Sequence, residues 1–71
     1  MKFGEKLRWL RRKKGLSLME LGELLEVHHS HVGRLEKGEK TPNVAMVLKL
    51  AEIFGVTTDW LIRDEMELDD N

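Results

Sequence analysis

Apolar residues recur along the chain at the three- and four-residue spacing of helix faces. Phe3, Leu7 and Leu10 form one run, Leu18, Leu21, Gly22 and Leu25 a second, and Val32 and Leu35 a third. This pattern predicts a first helix from about Gly4 to Lys14, with Gly15 as a left-handed stop. A second is expected over about Leu18 to Leu25, and a third over about His29 to Lys37, ending at Gly38. Pro42 and Asn43 then make a turn and a cap for a fourth helix, Val44 to Phe54, closed by Gly55. Its inward face is expected to be Val44, Val47, Leu48, Ala51 and Phe54. Thr57 caps a short fifth helix running to about Arg63, with Asp59 in the first turn, where the helix dipole favours negative charge. The fold class is therefore all-α, with five helices around one small core.

The stretch from Leu16 to Gly38 is the most specific part of this pattern. Ser17 followed by Glu20 is a capping box: the hydroxyl accepts from the Glu20 amide while the carboxylate accepts from the Ser17 amide. Between the second and third helices there is too little chain for anything but a turn. Gly22 has no side chain, so another backbone can approach the second helix closely, as a compact helix pair requires. The arrangement is a helix-turn-helix, a device for reading DNA.

Arg11, Gly15, Leu16, Ser17, Glu20, Leu21, Val27, Arg34, Glu36, Gly38, Pro42, Leu50, Ala51, Gly55, Val56 and the run Asp59, Trp60, Leu61 match a known pattern. From about Phe3 to Ile62 the sequence resembles the Cro and phage-repressor-like family of bacterial and phage regulators. The resemblance implies a compact five-helix lambda-repressor-like DNA-binding domain over residues 1–63, with helices 2 and 3 as its helix-turn-helix. It implies a transcriptional regulator, a repressor or autoregulator, that inserts the third helix in the major groove of double-stranded DNA. The operator is expected to be palindromic and the protein a homodimer, its half-sites ~34 Å apart. The family also pairs an arginine at the position of Arg11 with a glutamate at that of Glu36, tying the first helix to the reading helix.

Length and composition bound the alternatives. Seventy-one residues suffice for one domain with one small core. No apolar run approaches the ~18 residues needed to span a bilayer, and the amino end lacks the central apolar block of a secretory signal, so a soluble cytoplasmic protein is expected. The absence of cysteine excludes disulfides, thiol catalysis and the usual zinc clusters. With no P-loop and no His-Glu-x-x-His spacing, the sequence offers no enzyme, cofactor or small-molecule site. The net charge of −1 is low for a nucleic-acid binder, but it is unevenly distributed. Ten Lys and Arg against six Glu give Met1 to Lys40 a net +4, and two against seven acids give Thr41 to Asn71 a net −5. A basic half can face phosphate while an acidic half faces away. The last residues, 64–71, are acidic, lack packing periodicity and are expected to form a disordered tail.

With the third helix in the major groove, side chains at and just after its amino end meet base edges. His29, Ser30 and Arg34 match positions where relatives carry base-reading side chains, and Arg34 can donate two hydrogen bonds to guanine. Ser17, His28, His31, Gly33, Lys37 and Lys40 are expected at the DNA backbone or flanking it. Three positions depart from the family pattern. Leu18 stands where a glutamine commonly contacts phosphate, Glu26 where the turn usually has glycine, and histidines at 28, 29 and 31 where small polar residues are usual. A residue with a Cβ in left-handed conformation at Glu26 costs of the order of 1 kcal/mol. The histidines make a weak metal site, since no cysteine or acid supports them in a recognised spacing. Protonated near pH 6.5, they would add positive charge facing DNA.

Some apolar residues lie off the expected core face. Trp9 falls opposite Leu7 and is expected to be exposed, and Met46 and Ile53 to point away from the inward face of the fourth helix. Because relatives often dimerise around the fifth helix, Ile53, Thr58, Trp60 and Ile62 are the expected interface. The rival reading is a protein-interaction module on the same scaffold, using an apolar patch around Trp9 and Leu18.

Overall fold

The computed structural model describes residues 2–63. The chain forms α1 (Phe3–Lys13), α2 (Leu18–Leu25), α3 (His29–Lys37), α4 (Val44–Phe54) and α5 (Thr58–Ile62), with no strand among the described residues. The acidic segment 64–71 lies outside them. None of the described helices is long and apolar enough to cross a membrane.

The helix boundaries follow from local chemistry. Glu20 N–H donates to Ser17 Oγ at 3.0 Å while Ser17 N–H donates to Glu20 Oε1 at 2.9 Å, closing the capping box that starts α2. Asn43 Oδ1 accepts from Met46 N–H at 2.8 Å, and Thr57 Oγ1 from Trp60 N–H at 3.0 Å. Left-handed residues stop the helices: Gly38 at φ 78° after α3 and Gly55 at φ 64° after α4. After α2 the same conformation falls to Glu26, at φ 61°, the one non-glycine residue with positive φ among those described. Its carboxylate reaches Lys49 of α4 at 3.4 Å.

Leu7 and Leu10 of α1, Leu21 and Leu25 of α2, Val32 and Leu35 of α3, Val47 and Leu50 of α4 and Leu61 of α5 form the core. Two expectations from periodicity fail. On α4 the inward residues are Val47 and Leu50, flanked by Met46, Ile53, Ala51 and Phe54, whereas Val44 and Leu48 are 77% and 54% exposed. The inward stripe is thus rotated by roughly a quarter-turn, at ~100° per residue, from the expected one. An almost wholly apolar helix does not define its own phase. Trp9 is half-buried rather than exposed: it packs against the core, shares a shallow cleft with Phe54, Val56 and Trp60, and carries the Lys13 ammonium over its ring at 4.4 Å.

Two further features of α1 hold the helices together. A Cβ built on Gly4 would lie 2.6 Å from the Leu35 carbonyl oxygen and closer still to that of Glu36, so α1 and α3 approach with backbone nearly in contact. Lys6 is fully buried, and its ammonium donates to the carbonyl oxygens of Trp60, at 2.6 Å, and Arg63. Those carbonyls end α5, where the helix dipole is negative, so the buried cation is hydrogen-bonded to groups that favour its charge.

Candidate nucleic-acid interface

Val32, Leu35 and Glu36 of α3 are buried, which fixes how the helix is rotated. At ~100° per residue, Ser30, Arg34 and Lys37 then fall within about 60° of one another on the opposite side. All three are exposed, and Lys40 beyond the helix is exposed as well. Arg34, Lys37 and Lys40 form no ion pair among the described residues. Their charges are uncommitted and available to phosphate or to base edges. His29 and His28 are exposed at the helix start, whereas His31 and Gly33 are half-buried at the margins of this face. Gly33 is different from the buried glycines: a Cβ built there meets nothing within 4 Å.

The amino end of α3 is capped in an unusual way. His28 Nδ1 accepts from Ser30 N–H at 3.2 Å and lies 2.8 Å from Ser30 Oγ. The His28 and His29 rings lie 4.2 Å apart, centroid to centroid, at 33° to each other. Ser17, at the start of α2, is exposed; in the capping box its N–H donates to Glu20 and its hydroxyl oxygen accepts from Glu20 N–H. Hydrogen bonds from the Ser17 N–H and then the Ser17 hydroxyl hold the Glu20 carboxyl below the ordinary carboxylate range. Leu18, where a phosphate-contacting glutamine is usual in the family, is half-buried and packs against the core.

Behind this exposed face, Glu36 is the anchor. Its side chain is 2% exposed and takes two hydrogen bonds from Arg11, Nε to Oε2 at 2.6 Å and Nη2 to Oε1 at 3.1 Å. Arg11 Nη1 also donates to the Leu16 carbonyl at 2.9 Å, so the same guanidinium holds the segment leading into α2. Hydrogen bonding to Glu36 raises the Arg11 pKa above its ordinary value, against a smaller opposing effect of burial. Arg8 adds a third contact to Glu36 at 3.3 Å, from a side chain 45% exposed. Arg8, Gly4 and Lys6 escape a reading of the sequence by periodicity. The one signal available is that Lys6 stands next to Leu7 on a face otherwise apolar. The turn of the motif is tight in the way Gly22 predicts: a Cβ there would lie 2.7 Å from the Val27 carbonyl oxygen.

The residues expected at a dimer interface do not form one patch. Thr58 and Ile62 line an apolar groove of about 470 Å³ together with Phe3, Pro42, Val44, Val47 and Leu48. Trp60 lines the separate cleft beside Trp9, its ring 5.2 Å from the Lys6 ammonium, and Ile53 is half-buried against the core.

A helix-turn-helix family model matches residues 7–61. A prophage-derived HTH-type transcriptional regulator of Bacillus subtilis, YonR, is 34% identical over 61 residues, covering 86% of this chain and 56% of that protein. The chain therefore spans about half the length of that curated relative. Among solved structures, the P22 c2 repressor in complex with a synthetic operator superimposes with a TM-score of 0.84 at 25% identity, over 92% of this chain and 98% of that one. The restriction-modification controller protein C.AhdI from Aeromonas hydrophila gives 0.75 at 37% identity, over 84% and 91%. Five helices in this order, a motif turn closed on Gly22 and the matched span of 7–61 lead to one conclusion: this chain belongs to the lambda-repressor-like, XRE-type helix-turn-helix family.

Proposed function

We propose that this chain is a sequence-specific regulator of transcription, a repressor or autoregulator, that acts in the cytoplasm on double-stranded DNA by placing α3 in the major groove of an operator. The observation that carries the reading is the uncommitted polar face of α3, where Ser30, Arg34 and Lys37 stand exposed opposite the buried Val32, Leu35 and Glu36. His29, Ser30 and Arg34 read bases, while Ser17, His28, His31, Lys37 and Lys40 contact phosphate and Gly33 lets the duplex approach. The names of the relatives, HTH-type regulators and an operator-bound repressor, support this assignment.

Dimerisation is part of the proposal, with a palindromic operator as its consequence. Val44, Leu48 and Ile62 are large apolar side chains 54% or more exposed around one groove, and Thr58 lies in the same groove. This is the surface a second copy covers. Sedimentation of wild type and Leu48→Glu checks it: wild type pairs and binds two half-sites cooperatively, and the variant loses both. A wild type that stays monomeric and binds half-sites independently refutes it.

The rival interaction-module reading depends on a patch around Trp9 and Leu18, and both side chains are packed partly against the core. Selection from random duplexes with the purified chain decides between the two. An enriched site whose affinity falls linearly in log salt, by about 0.9 per phosphate neutralised, supports the regulator. No enriched sequence sinks it.

A further inference from the structure

A serine hydroxyl normally reads DNA without regard to polarity, because it rotates to donate or to accept as the base requires. Ser30 lacks that freedom. Its backbone N–H can only donate, and it donates to His28 Nδ1 at 3.2 Å. That hydrogen bond requires Nδ1 to be the bare nitrogen, the tautomer that carries its proton on Nε2. Ser30 Oγ lies 2.8 Å from the same unprotonated nitrogen. With Nδ1 bare, only the hydroxyl of these two atoms has a proton to give, which directs the Ser30 O–H at His28. Nothing but lone pairs is left on Ser30 Oγ for an outside partner.

We propose that His28 fixes the polarity of Ser30, making it an obligate acceptor that selects a base presenting an exocyclic amine in the major groove, adenine or cytosine, over one presenting a carbonyl oxygen. The inference rests on the reading of α3 as the DNA-reading helix and extends it to the chemistry of one contact. His28 is a positioning residue, acting through Ser30. The major groove is where this matters, since adenine N6 and cytosine N4 are its donors and guanine O6 and thymine O4 its acceptors.

The first test needs no DNA. Long-range proton–nitrogen correlation on the full chain at pH 8 is expected to show His28 with Nδ1 bare and Nε2 protonated; the opposite tautomer overturns the proposal while leaving DNA reading intact. The second uses the site enriched from random duplexes. Ser30→Ala loses its preference at one base pair, and an analogue lacking the exocyclic amine at that pair weakens wild type by roughly 3- to 10-fold but the variant hardly at all. If an analogue lacking the carbonyl oxygen has that effect instead, or if Ser30→Ala leaves the preference unchanged, the assignment fails. His28→Asn, whose side-chain oxygen also accepts, keeps the preference for an amine; His28→Ala lets the hydroxyl rotate and relaxes it. If His28→Ala keeps the full preference, His28 does not set it. A failure to enrich any site overturns the underlying reading as well, which the tautomer experiment distinguishes from failure of the polarity argument alone.

Discussion

Arg11 grips Glu36 with two N–H groups, at 2.6 and 3.1 Å, across the joint between α1 and α3. The carboxylate is almost wholly buried, so the pair is judged by what happens when one partner goes. Arg11→Ala leaves a buried anion with only the longer Arg8 contact and is expected to destabilise the domain by about 3 kcal/mol. That is a large fraction of the stability of so small a fold. Replacing Arg11 and Glu36 together by methionine should restore most of the loss, because the desolvation of both charges is removed too. Urea denaturation of the two single variants and the double variant measures this. A double variant as unstable as Arg11→Ala would refute it.

Gly33 and Gly4 predict opposite outcomes for the same substitution. A Cβ at Gly33 meets nothing within the chain, and glycine in a helix interior costs roughly 0.5–1 kcal/mol relative to alanine. Gly33→Ala should therefore raise stability by about that amount while weakening binding to the selected duplex. Gly4→Ala drives a methyl group into the backbone carbonyls of Leu35 and Glu36, and should cost 1–3 kcal/mol or more. Thermal melts paired with duplex titrations check both. If Gly33→Ala binds as tightly as wild type, the glycine has no role in letting DNA approach.

Glu26 occupies the left-handed position of the motif turn at φ 61°. Glu26→Gly removes the steric cost of a Cβ there and loses only an exposed ion pair with Lys49, which contributes little. The expected gain is about 1 kcal/mol, or a rise of roughly 4–8 °C in Tm. A Tm equal to or below that of wild type would show that the turn is relaxed as it stands.

The capping box gives a pH dependence of known sign. Folding lowers the Glu20 pKa, so its contribution is fully present above the unfolded carboxylate value of about 4.3 and is lost as pH falls through the lower folded value. Glu20→Gln keeps a side chain that can close the box but does not titrate. The stability difference between wild type and this variant should narrow between about pH 5 and pH 3. A difference constant over that range would mean that Glu20 ionisation does not stabilise α2.

The helices themselves were legible because their ends are written in side-chain chemistry. Ser17, Asn43 and Thr57 start α2, α4 and α5, and Gly38 and Gly55 stop α3 and α4, at the residues where periodicity puts them. The Arg11–Glu36 pair came from family resemblance rather than from spacing. The phase of α4 was illegible, since a helix apolar almost all round buries whichever stripe its neighbours face. A helical wheel misplaces Trp9 because it ignores how far an indole reaches toward Phe54 and Val56. The role of His28 depends on a tautomer and a rotamer, which no sequence pattern encodes.

Gly4 and Lys6 stand two residues apart in the first turn of α1, one set against the backbone of α3 and the other holding the last carbonyls of α5. The first is a steric stop and the second an electrostatic clasp, and neither leaves α1 free to slide along or roll against its neighbours. Within one protomer, α1 therefore acts as a gauge bar: it fixes the position of α3 relative to α5, and with it the span from the exposed face of α3 to the groove lined by Thr58 and Ile62.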